Sequence, residues 1–470
     1  MILFELNTRV HGKPFDQIED AELRGLVDLG FDWIWTMGIW RISPAVLEIS
    51  KRFAHDFEGS PYAIADYEVS PELGGEPAFR RFVERAHRAG LRVMADFVPN
   101  HIAIDSPLID AHPEWIIRSN PRHRDEHPND YFDHPRGRFA HGKDPFFPGW
   151  IDTAQLDYAH PELRAHMVQV VRRLGGMVDG LRCDMAMLVL RDQVKQQWWP
   201  RISTELFDHH FPGEFWPIAI ETVRAERSDF VFMAEVYWDK ESYLQELGFD
   251  YTYNKKLYDI LAHHPSAGEV ARYLATTRPA FLQRSVHFLE NHDEERAAVR
   301  FGARSRAAAV LSYAIPGVVF VHHGQMEGFH EKLPVQRVRP ARREEPDAAL
   351  LAFYQRLLAR ARDPLFRNGE MLGLGEQHGA VLWARRLGNR IALAAANVSH
   401  APSGMSPAIA VSASLLGVGA GGSPVRAKDL WTGEPVSLNV SGDHLLMAPG
   451  AVGSYSENGA FLIELSLSTG

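Results

Sequence analysis

Cysteine is nearly absent from this chain, since Cys183 is the only one among its 470 residues. A single cysteine excludes an intrachain disulfide and favours a cytoplasmic location. Long apolar runs are also absent, so no membrane-spanning segment is predicted. The segment from Met1 to Asn7 has no basic start and only a short apolar run, so we expect no signal peptide. We therefore expect a soluble cytoplasmic protein.

An excess of positive charge is the third thing missing. The formal net charge is −10 and the sequence pI is about 6.1, which favours neither nucleic acid nor an anionic membrane as a partner. Hydrophobic residues make up 45% of the chain and charged residues 23%, as in ordinary globular proteins. At this length we expect one large domain with one or two attached parts.

Short apolar runs alternate with helical patterns along the first three quarters of the chain. Eight such runs begin near Leu3, Asp32, Leu91, Val178, Phe230, Tyr251, Ser285 and Gly317. Strands that alternate with helices form parallel sheets, and eight such units favour a closed (β/α)₈ TIM barrel over an open sheet. The sequence thus predicts an α/β fold of the barrel type.

Two regions interrupt or follow this alternation. Residues 101–159 are polar and too long for an ordinary loop, so they predict a small subdomain, or a functional lid, inserted between strand 3 and helix 3. Residues 364–470 carry short strand patterns between Gly, Pro and Ser turns, which predicts a C-terminal all-β sandwich. The barrel would then comprise residues 1–100 and 160–363. The stretch Gly417–Ser423 is interpreted as a flexible loop, since no Lys-Ser or Lys-Thr pair follows it.

Acidic residues follow three of the buried runs. Asp184, Glu235 and Asp293 each stand where a predicted strand ends, and active sites of such barrels lie at those ends. Any one of them alone is more commonly a helix cap or an ion-pair partner. Three at equivalent positions favour function. Arg182 precedes Asp184 by two residues, so both side chains would face the same way.

Two chemistries use clustered carboxylates without an organic cofactor. Metal-assisted hydrolysis needs additional ligands, which His101 and His292 could supply. Glycosidic cleavage needs one carboxylate as nucleophile and one carboxylic acid as proton donor. The Arg182 charge would favour the ionised form of Asp184, as a nucleophile requires. The mostly apolar neighbours of Glu235 favour a raised pKa and the acid role.

Four segments together resemble the signature regions of the α-amylase family of glycoside hydrolases. They occur in the family's order, at the ends of predicted strands three, four, five and seven, and the likeness spans roughly Leu3 to Ala361 plus the C-terminal region. The segments are Asp96-Phe97-Val98-Pro99-Asn100-His101, Gly180-Leu181-Arg182-Cys183-Asp184, Ala234-Glu235-Val236 and Asn291-His292-Asp293. Gln155-Leu156-Asp157 is similar to the family's fifth motif, and the 101–159 insertion matches its subdomain.

The resemblance implies a retaining mechanism on α-glucosidic bonds. It makes Asp184 the nucleophile, Glu235 the acid/base and Asp293 the transition-state stabiliser. The residues that it implies bind the sugar at the cleaved position are Asp96, His101, Arg182 and His292, with Tyr62 stacking beneath that sugar.

Departures from the family pattern restrict these expectations. Many α-amylases carry a Lys-His pair shortly after the nucleophile that helps a calcium site, whereas this chain has Met187 and Leu188. Met187 is more simply explained by core packing. A lone Asn such as Asn100 more commonly forms turns or hydrogen bonds, so neither calcium nor any cofactor is predicted. Gly59 replaces an Asp common in exo-acting α-glucosidases, which weakly disfavours that subgroup.

The leading hypothesis is a cytoplasmic enzyme that cleaves α-glucans or maltooligosaccharides with retention. A dedicated transglycosidase or isomerase of the branching, maltosyltransferase or trehalose-forming type is the alternative, because the sequence does not display how well water is excluded from the acceptor side. A non-catalytic carbohydrate-binding relative is more remote, since no member of the Asp184, Glu235 and Asp293 set is missing. A metal-dependent hydrolase is the most remote.

Overall fold

The computed structural model describes residues 1–53, 58–198, 204–337, 344–399, 405–416 and 425–467. The predicted loop at Gly417–Ser423 lies outside the described residues. None of the helices in these ranges is long and apolar enough to cross a membrane.

Eight strands close into a parallel barrel, which confirms the predicted fold class. In chain order they are β1 (Ile2–Asn7), β2 (Trp33–Met37), β3 (Arg92–Phe97), β4 (Gly180–Cys183), β5 (Val231–Ala234), β6 (Tyr251–Tyr253), β7 (Ser285–His287) and β8 (Val318–His322). Each strand neighbours the next in sequence, and β8 closes on β1. All eight positions agree with the sequence prediction, with ends that differ by two residues or fewer.

The pairing register of neighbouring strands sets which functional side chains lie at the same level of the barrel. Arg182 of β4 pairs with Asp96 of β3, and Cys183 pairs with Ala234 of β5. Asp184 and Glu235 are the next residues on their strands, so they emerge at the same level. The first residue of β4, Gly180, has no room for a side chain, because a Cβ there would lie 2.8 Å from the carbonyl oxygen of Val231.

The chain forms two compact units, and the first holds Phe4–Tyr253. This unit contains most of β1 and all of β2 to β6. Its α-helices are Thr8–His11, Asp20–Leu29, Pro44–Lys51, Gly75–Ala89, Pro107–Ala111, Pro121–Glu126, Pro161–Gly175, Arg191–Trp198, Thr204–His210, Phe215–Arg224 and Glu241–Glu246.

The inserted region is tied to the barrel by a narrow neck. His101–Ala103 pairs antiparallel with Thr153–Gln155, so the two ends of the insertion lie side by side. The Gln155 Nε2 donates to the Asn100 Oδ1 at 2.9 Å and to the Asn100 carbonyl oxygen at 3.0 Å. Tyr131–His134 and Gly137–Ala140 form a second small hairpin beyond this neck.

The second unit holds Asn254–Lys332 and the residues from Glu344 onward, together with the first three residues. Its α-helices are Lys255–His263, Ala267–Thr276, Pro279–Gln283, Ala297–Arg300, Ser305–Ala314, Ala348–Ala361, Pro364–Asn368 and Tyr455–Asn458. The sequence analysis did not predict Lys255–His263, although Asn254 caps its N-terminus.

An antiparallel β domain forms the C-terminal part of this unit. Its six-stranded sheet runs in the order Glu370–Gln377, Ala380–Leu387, Arg390–Ala396, Ala460–Leu467, Val425–Asp429 and Pro435–Val436. A three-stranded sheet runs in the order Ile409–Ser412, His444–Met447 and Asn439–Ser441. Side chains of both sheets share one apolar core, which includes Leu393, Ile463, Val411 and Met447. The domain boundaries proposed at 100, 160 and 363 remain a prediction.

Candidate active site

Arg182 is the centre of a buried charged cluster at the end of β4. Its Nη1 donates to Asp184 Oδ1 at 2.7 Å, and its Nη2 lies 2.7 Å from Glu235 Oε2. Asp96 Oδ1 is farther away, at 3.6 Å from Nη1. One guanidinium therefore serves two carboxylates directly and a third at longer range.

Aromatic rings surround the same guanidinium. The Arg182 Cζ lies 5.1 Å from the Trp35 ring centroid, 5.2 Å from that of Tyr62 and 5.8 Å from that of Tyr253. Such rings attract a cation and exclude water from it. The sequence analysis singled out Tyr62 but missed Trp35 and Tyr253. Their signal was their position on β2 and β6, the strands that flank the site on either side.

Glu235 is held by two hydrogen bonds and one ion pair. Its Oε2 accepts from the backbone N–H of Met185 at 2.8 Å, in addition to the Arg182 contact, and its Oε1 accepts from the Tyr237 hydroxyl at 2.7 Å. Met185 adopts φ 42°, a left-handed conformation that is uncommon for a residue other than Gly. This turn aims the Met185 N–H at the carboxylate. Neither Tyr237 nor the Met185 backbone was predicted as a site group.

Asp96 is anchored by the backbone of a neighbouring strand. Its Oδ2 accepts from the Gly38 N–H at 3.0 Å, and its carbonyl oxygen accepts from Trp40 Nε1 at 2.7 Å. Both donors follow β2. The structure therefore fixes Asp96 beside Arg182, at the site where the sequence predicted a sugar-binding residue.

The charge balance of the cluster changes the expected ionisation. Burial, the largest cause, and the charge of Glu235 raise the pKa of the Asp184 carboxyl to about 8, against the opposing effect of Arg182. The expected sign of the Arg182 effect is correct, but it is outweighed. The prediction that Arg182 would keep Asp184 ionised is therefore wrong near neutral pH, where the Asp184 carboxyl retains its proton.

His101 is buried and contacts the backbone of Tyr62, whose ring lies against the Arg182 guanidinium. Burial lowers the pKa of His101 to about 4, despite a hydrogen bond with the Tyr62 backbone that opposes the shift. The imidazole is therefore neutral at pH 7. Its ring packs at 5.0 Å from that of Trp150. This places His101 and Tyr62 together, as the sequence predicted.

His292 and Asp293 belong to the second unit, in the segment that follows β7. His292 is buried, and its Nε2 lies 3.0 Å from Asp293 Oδ2. The Asp293 side chain is 45% exposed. Asn291 Oδ1 accepts from the Asp293 N–H at 2.9 Å, which shapes the turn that presents both residues.

A buried ion pair lies directly before this turn. Glu290 contacts Arg296 Nη1 at 2.5 Å and His322 Nδ1 at 3.0 Å, and it accepts from the Ala297 N–H at 2.6 Å. These contacts fix the two ends of the segment that carries His292 and Asp293.

The described ranges contain no group of three or more His, Cys, Asp or Glu side chains arranged to hold an ion. The Asn100 amide is paired with Gln155, as described above. Met187 and Leu188 are buried in the short 3₁₀ turn Ala186–Val189, in agreement with a packing role.

Comparison with known proteins places this site in a family. The model of the α-amylase catalytic domain matches residues 21–369. The chain belongs to the α-amylase family of glycoside hydrolases. This membership confirms the sequence-based identification. The matched range, residues 21–369, includes every residue of the cluster described above.

Several members of the α-amylase family are similar to this chain. α-Amylase MalA of Haloarcula japonica is 25% identical over 348 residues, which cover 70% of this chain and 44% of the relative. The intracellular maltogenic amylase of Bacillus subtilis is 23% identical, over 72% of this chain and 54% of the relative. An α-1,4-glucan:maltose-1-phosphate maltosyltransferase of Cereibacter sphaeroides is 28% identical, over 48% and 31%. The chain thus spans about half the length of such relatives, or less.

A solved structure shows the same fold over the whole chain. The noncanonic maltogenic α-amylase AmyB from Thermotoga neapolitana has a TM-score of 0.75 at 23% identity and covers 99% of both chains.

Proposed function

We propose that this protein cleaves α-glucosidic bonds of α-glucans or maltooligosaccharides with retention of configuration. The observation that carries the proposal is the contact of one buried guanidinium, that of Arg182, with both Asp184 and Glu235 at 2.7 Å. Retaining glycosidases need two carboxyl groups about 5 Å apart, closer than the separation of about 6.5 to 9.5 Å in inverting enzymes. A shared guanidinium favours the shorter separation.

In the first step, Asp184 attacks the anomeric carbon and the bond from that carbon to the leaving oxygen breaks. Glu235 gives its proton to the leaving oxygen, so the leaving sugar departs neutral. The proton retained by the Asp184 carboxyl is the one required here. Binding of substrate between the two groups would move it to Glu235, while Arg182 stabilises the ionised Asp184.

In the second step, a water molecule attacks the anomeric carbon of the glycosyl-enzyme. Glu235 takes a proton from that water, and the bond between the sugar and Asp184 breaks. The enzyme returns to its starting protonation. We propose that Asp293 stabilises the oxocarbenium-like transition state, on the basis of its place after β7 and the family resemblance. The residues that would bind the sugar at the cleaved position are Tyr62, Asp96, His101, Arg182 and His292.

A transglycosidase is a second candidate. The maltosyltransferase among the relatives supports it, as does the absence of the Lys-His pair after the nucleophile. Both candidates form the same glycosyl-enzyme and differ in what attacks it. A cytoplasmic location is supported by the single cysteine and by the relative named as intracellular.

Product analysis tests both candidates. The enzyme is incubated with maltooligosaccharides, with and without an added acceptor sugar, and the anomeric configuration of the first product is followed by NMR. We expect the α-anomer to appear first. Initial formation of the β-anomer would contradict a retaining mechanism. Products longer than the substrate in the presence of an acceptor would favour the transglycosidase.

A further inference from the structure

The two carboxyl oxygens of Glu235 have different surroundings. Oε2 lies 2.7 Å from Arg182 Nη2 and accepts from the Met185 N–H at 2.8 Å. Oε1 accepts from the Tyr237 hydroxyl at 2.7 Å. A guanidinium and a backbone N–H can only donate a hydrogen bond, whereas a tyrosine hydroxyl can donate and accept. The two oxygens therefore differ in how well they can carry a proton.

A proton on Oε2 is disfavoured by its neighbours. It would face the positive charge of Arg182 and the N–H of Met185, and neither group can accept a hydrogen bond from it. The Glu235 side chain is only 4% exposed, so bulk water screens this repulsion little. A proton on Oε1 meets a hydroxyl that can accept from it. Oε1, beside Tyr237, is therefore the oxygen suited to carry the proton.

The turn after β5 fixes Tyr237 at this oxygen. Val236, which precedes Tyr237, is fully buried. Trp238 and Asp239 follow with positive φ angles of 62° and 58°, which residues other than Gly adopt at an energetic cost. The Lys240 N–H closes the turn by donating to the Tyr237 carbonyl oxygen at 3.3 Å. The Tyr237 backbone is therefore held on both sides.

We propose that Tyr237 is a positioning residue for proton transfer, which holds Oε1 of Glu235 and stabilises the carboxylate that forms when the proton leaves. This inference rests on the function proposed above. In the first step the Oε1–H bond breaks, and its hydrogen forms a bond with the leaving oxygen. The electron pair of the Oε1–H bond stays on Oε1, where the Tyr237 hydroxyl donates to it. Tyr237 keeps its own proton throughout.

The charge on Oε1 determines which step depends on this hydrogen bond. A hydrogen bond to a carboxylate is stronger than one to a neutral carboxylic acid, so the Tyr237 hydroxyl favours departure of the proton. In the second step Glu235 acts as a base, and a donor to its carboxylate gives no such assistance. The loss of the hydroxyl should therefore slow formation of the glycosyl-enzyme, which kcat/KM reports.

The test compares two leaving groups in the Tyr237→Phe variant, which loses the hydroxyl and keeps the ring. We measure kcat/KM on phenyl α-maltoside, whose leaving group needs a proton, and on 2,4-dinitrophenyl α-maltoside, whose leaving group departs without one. We expect a loss of about tenfold on the first and of no more than about twofold on the second. Both values come from one preparation, so their ratio does not depend on the folded fraction. An unchanged ratio overturns the proposal.

Tyr243→Phe is the matched control. The Tyr243 hydroxyl also donates to a carboxylate, Glu214 Oε1 at 3.1 Å, and lies on the helix Glu241–Glu246. We expect this variant to keep the wild-type ratio of the two kcat/KM values. A fall equal to that of Tyr237→Phe would overturn the proposal, because the effect would then not depend on contact with Glu235.

The pH dependence of kcat/KM is a second readout, which a merely structural role would not move. Without the Tyr237 hydroxyl, the carboxylate form of Glu235 is less stable, so the site should keep its proton to higher pH. We expect the basic limb to move upward by about half to one pH unit in Tyr237→Phe and to stay in place in Tyr243→Phe. A lower profile with an unmoved limb overturns the proposal.

Wild-type activity separates this inference from the proposed function. If the wild type cleaves maltooligosaccharides and both aryl maltosides while Tyr237→Phe matches it on each, the positioning role is wrong and the proposed function stands. A wild type that turns over no α-glucoside contradicts the proposed function, and the role of Tyr237 falls with it.

Discussion

Strand β4 carries a charged cluster at each of its two ends, and the two clusters differ in their balance of charge. At the start of the strand, Asp179 accepts from the Val93 N–H at 2.9 Å, contacts His87 Nε2 at 2.7 Å and accepts from Arg227 Nη2 at 3.0 Å. At its other end, Arg182 is shared among three carboxylates.

Burial acts alike on both carboxyls, but their partners reverse the outcome. Burial alone would raise the pKa of Asp179, yet the hydrogen bonds from Val93, His87 and Arg227 hold it below its ordinary value. Burial and Glu235 raise the pKa of Asp184 to about 8. A buried carboxylate such as Asp179, whose hydrogen-bond donors outweigh the cost of burial, stabilises the fold. Carboxylates that outnumber their cation store a proton for chemistry, which matches the division of TIM barrels into a stable face and an active face.

The largest expected effect comes from Asp184→Asn. Without the nucleophile, we expect kcat/KM to fall by at least about 10⁴-fold. The variant should unfold at the same or a higher temperature, because it removes a carboxyl from a cluster with excess negative charge. Steady-state kinetics and thermal unfolding check the two parts. Substantial activity in the folded variant would show that Asp184 is not the nucleophile.

The same substitution at the other end of β4 is the matched control. Asp179→Asn should lower the free energy of unfolding by about 2 kcal/mol, because Arg227 and His87 lose their partner. The folded fraction should keep kcat/KM within about twofold of the wild type. Urea denaturation gives the stability. A loss of activity without loss of stability would mean that the two ends are not separate in function.

The two ends should also respond oppositely to pH. The Asp184 pKa is raised in the native state, so its contribution to stability falls as pH rises from about 4 to 8. The Asp179 pKa is lowered, so its contribution is lost as pH falls below the carboxyl's ordinary range. Above pH 8 the Asp184 carboxyl loses the proton that the acid step needs, and kcat/KM should fall about tenfold per pH unit.

Kinetics and urea denaturation between pH 4 and 9 measure these dependences. Asp184→Asn should lack the decline in stability toward pH 8, whereas Asp179→Asn should retain it. A flat activity profile from pH 7 to 9 is the result that would contradict a catalytic role for the proton held at Asp184.

The smallest effect is expected for His87→Ala. The His87 side chain is 46% exposed, and Val93 and Arg227 still hold Asp179, so we expect a loss of about 0.5 to 1 kcal/mol. Urea denaturation measures it. A loss as large as that of Asp179→Asn would show that the partners of Asp179 act as one unit rather than separately.

Sequence patterns predicted the repeating barrel strands and the acidic residues that follow them. Apolar runs located all eight barrel strands, and the few residues that follow three of these runs include Asp184, Glu235 and Asp293. The helix Lys255–His263 was not predicted, although Leu257, Ile260 and Leu261 have helical spacing.

The sequence did not predict contacts between residues that are far apart along the chain but close in space. His87, Asp179 and Arg227 are far apart along the chain, and no local pattern joins them. The same holds for the rings of Phe146 and Trp238, whose centroids lie 5.1 Å apart. The pKa of Asp184 was predicted from Arg182 alone, because the sequence does not show that the guanidinium also contacts Glu235 at 2.7 Å.

The neck of the inserted region, where Asn100 pairs with Gln155 beside two short strands, has an evolutionary consequence. Because the ends of the insertion are already joined there, lengthening or replacing its distal part adds little closure entropy, which grows only with the logarithm of loop length. Mutation can therefore remodel the distal part of the insertion without a matching change in the barrel. The neck allows the inserted region to diversify independently of the strands that position Asp184 and Glu235.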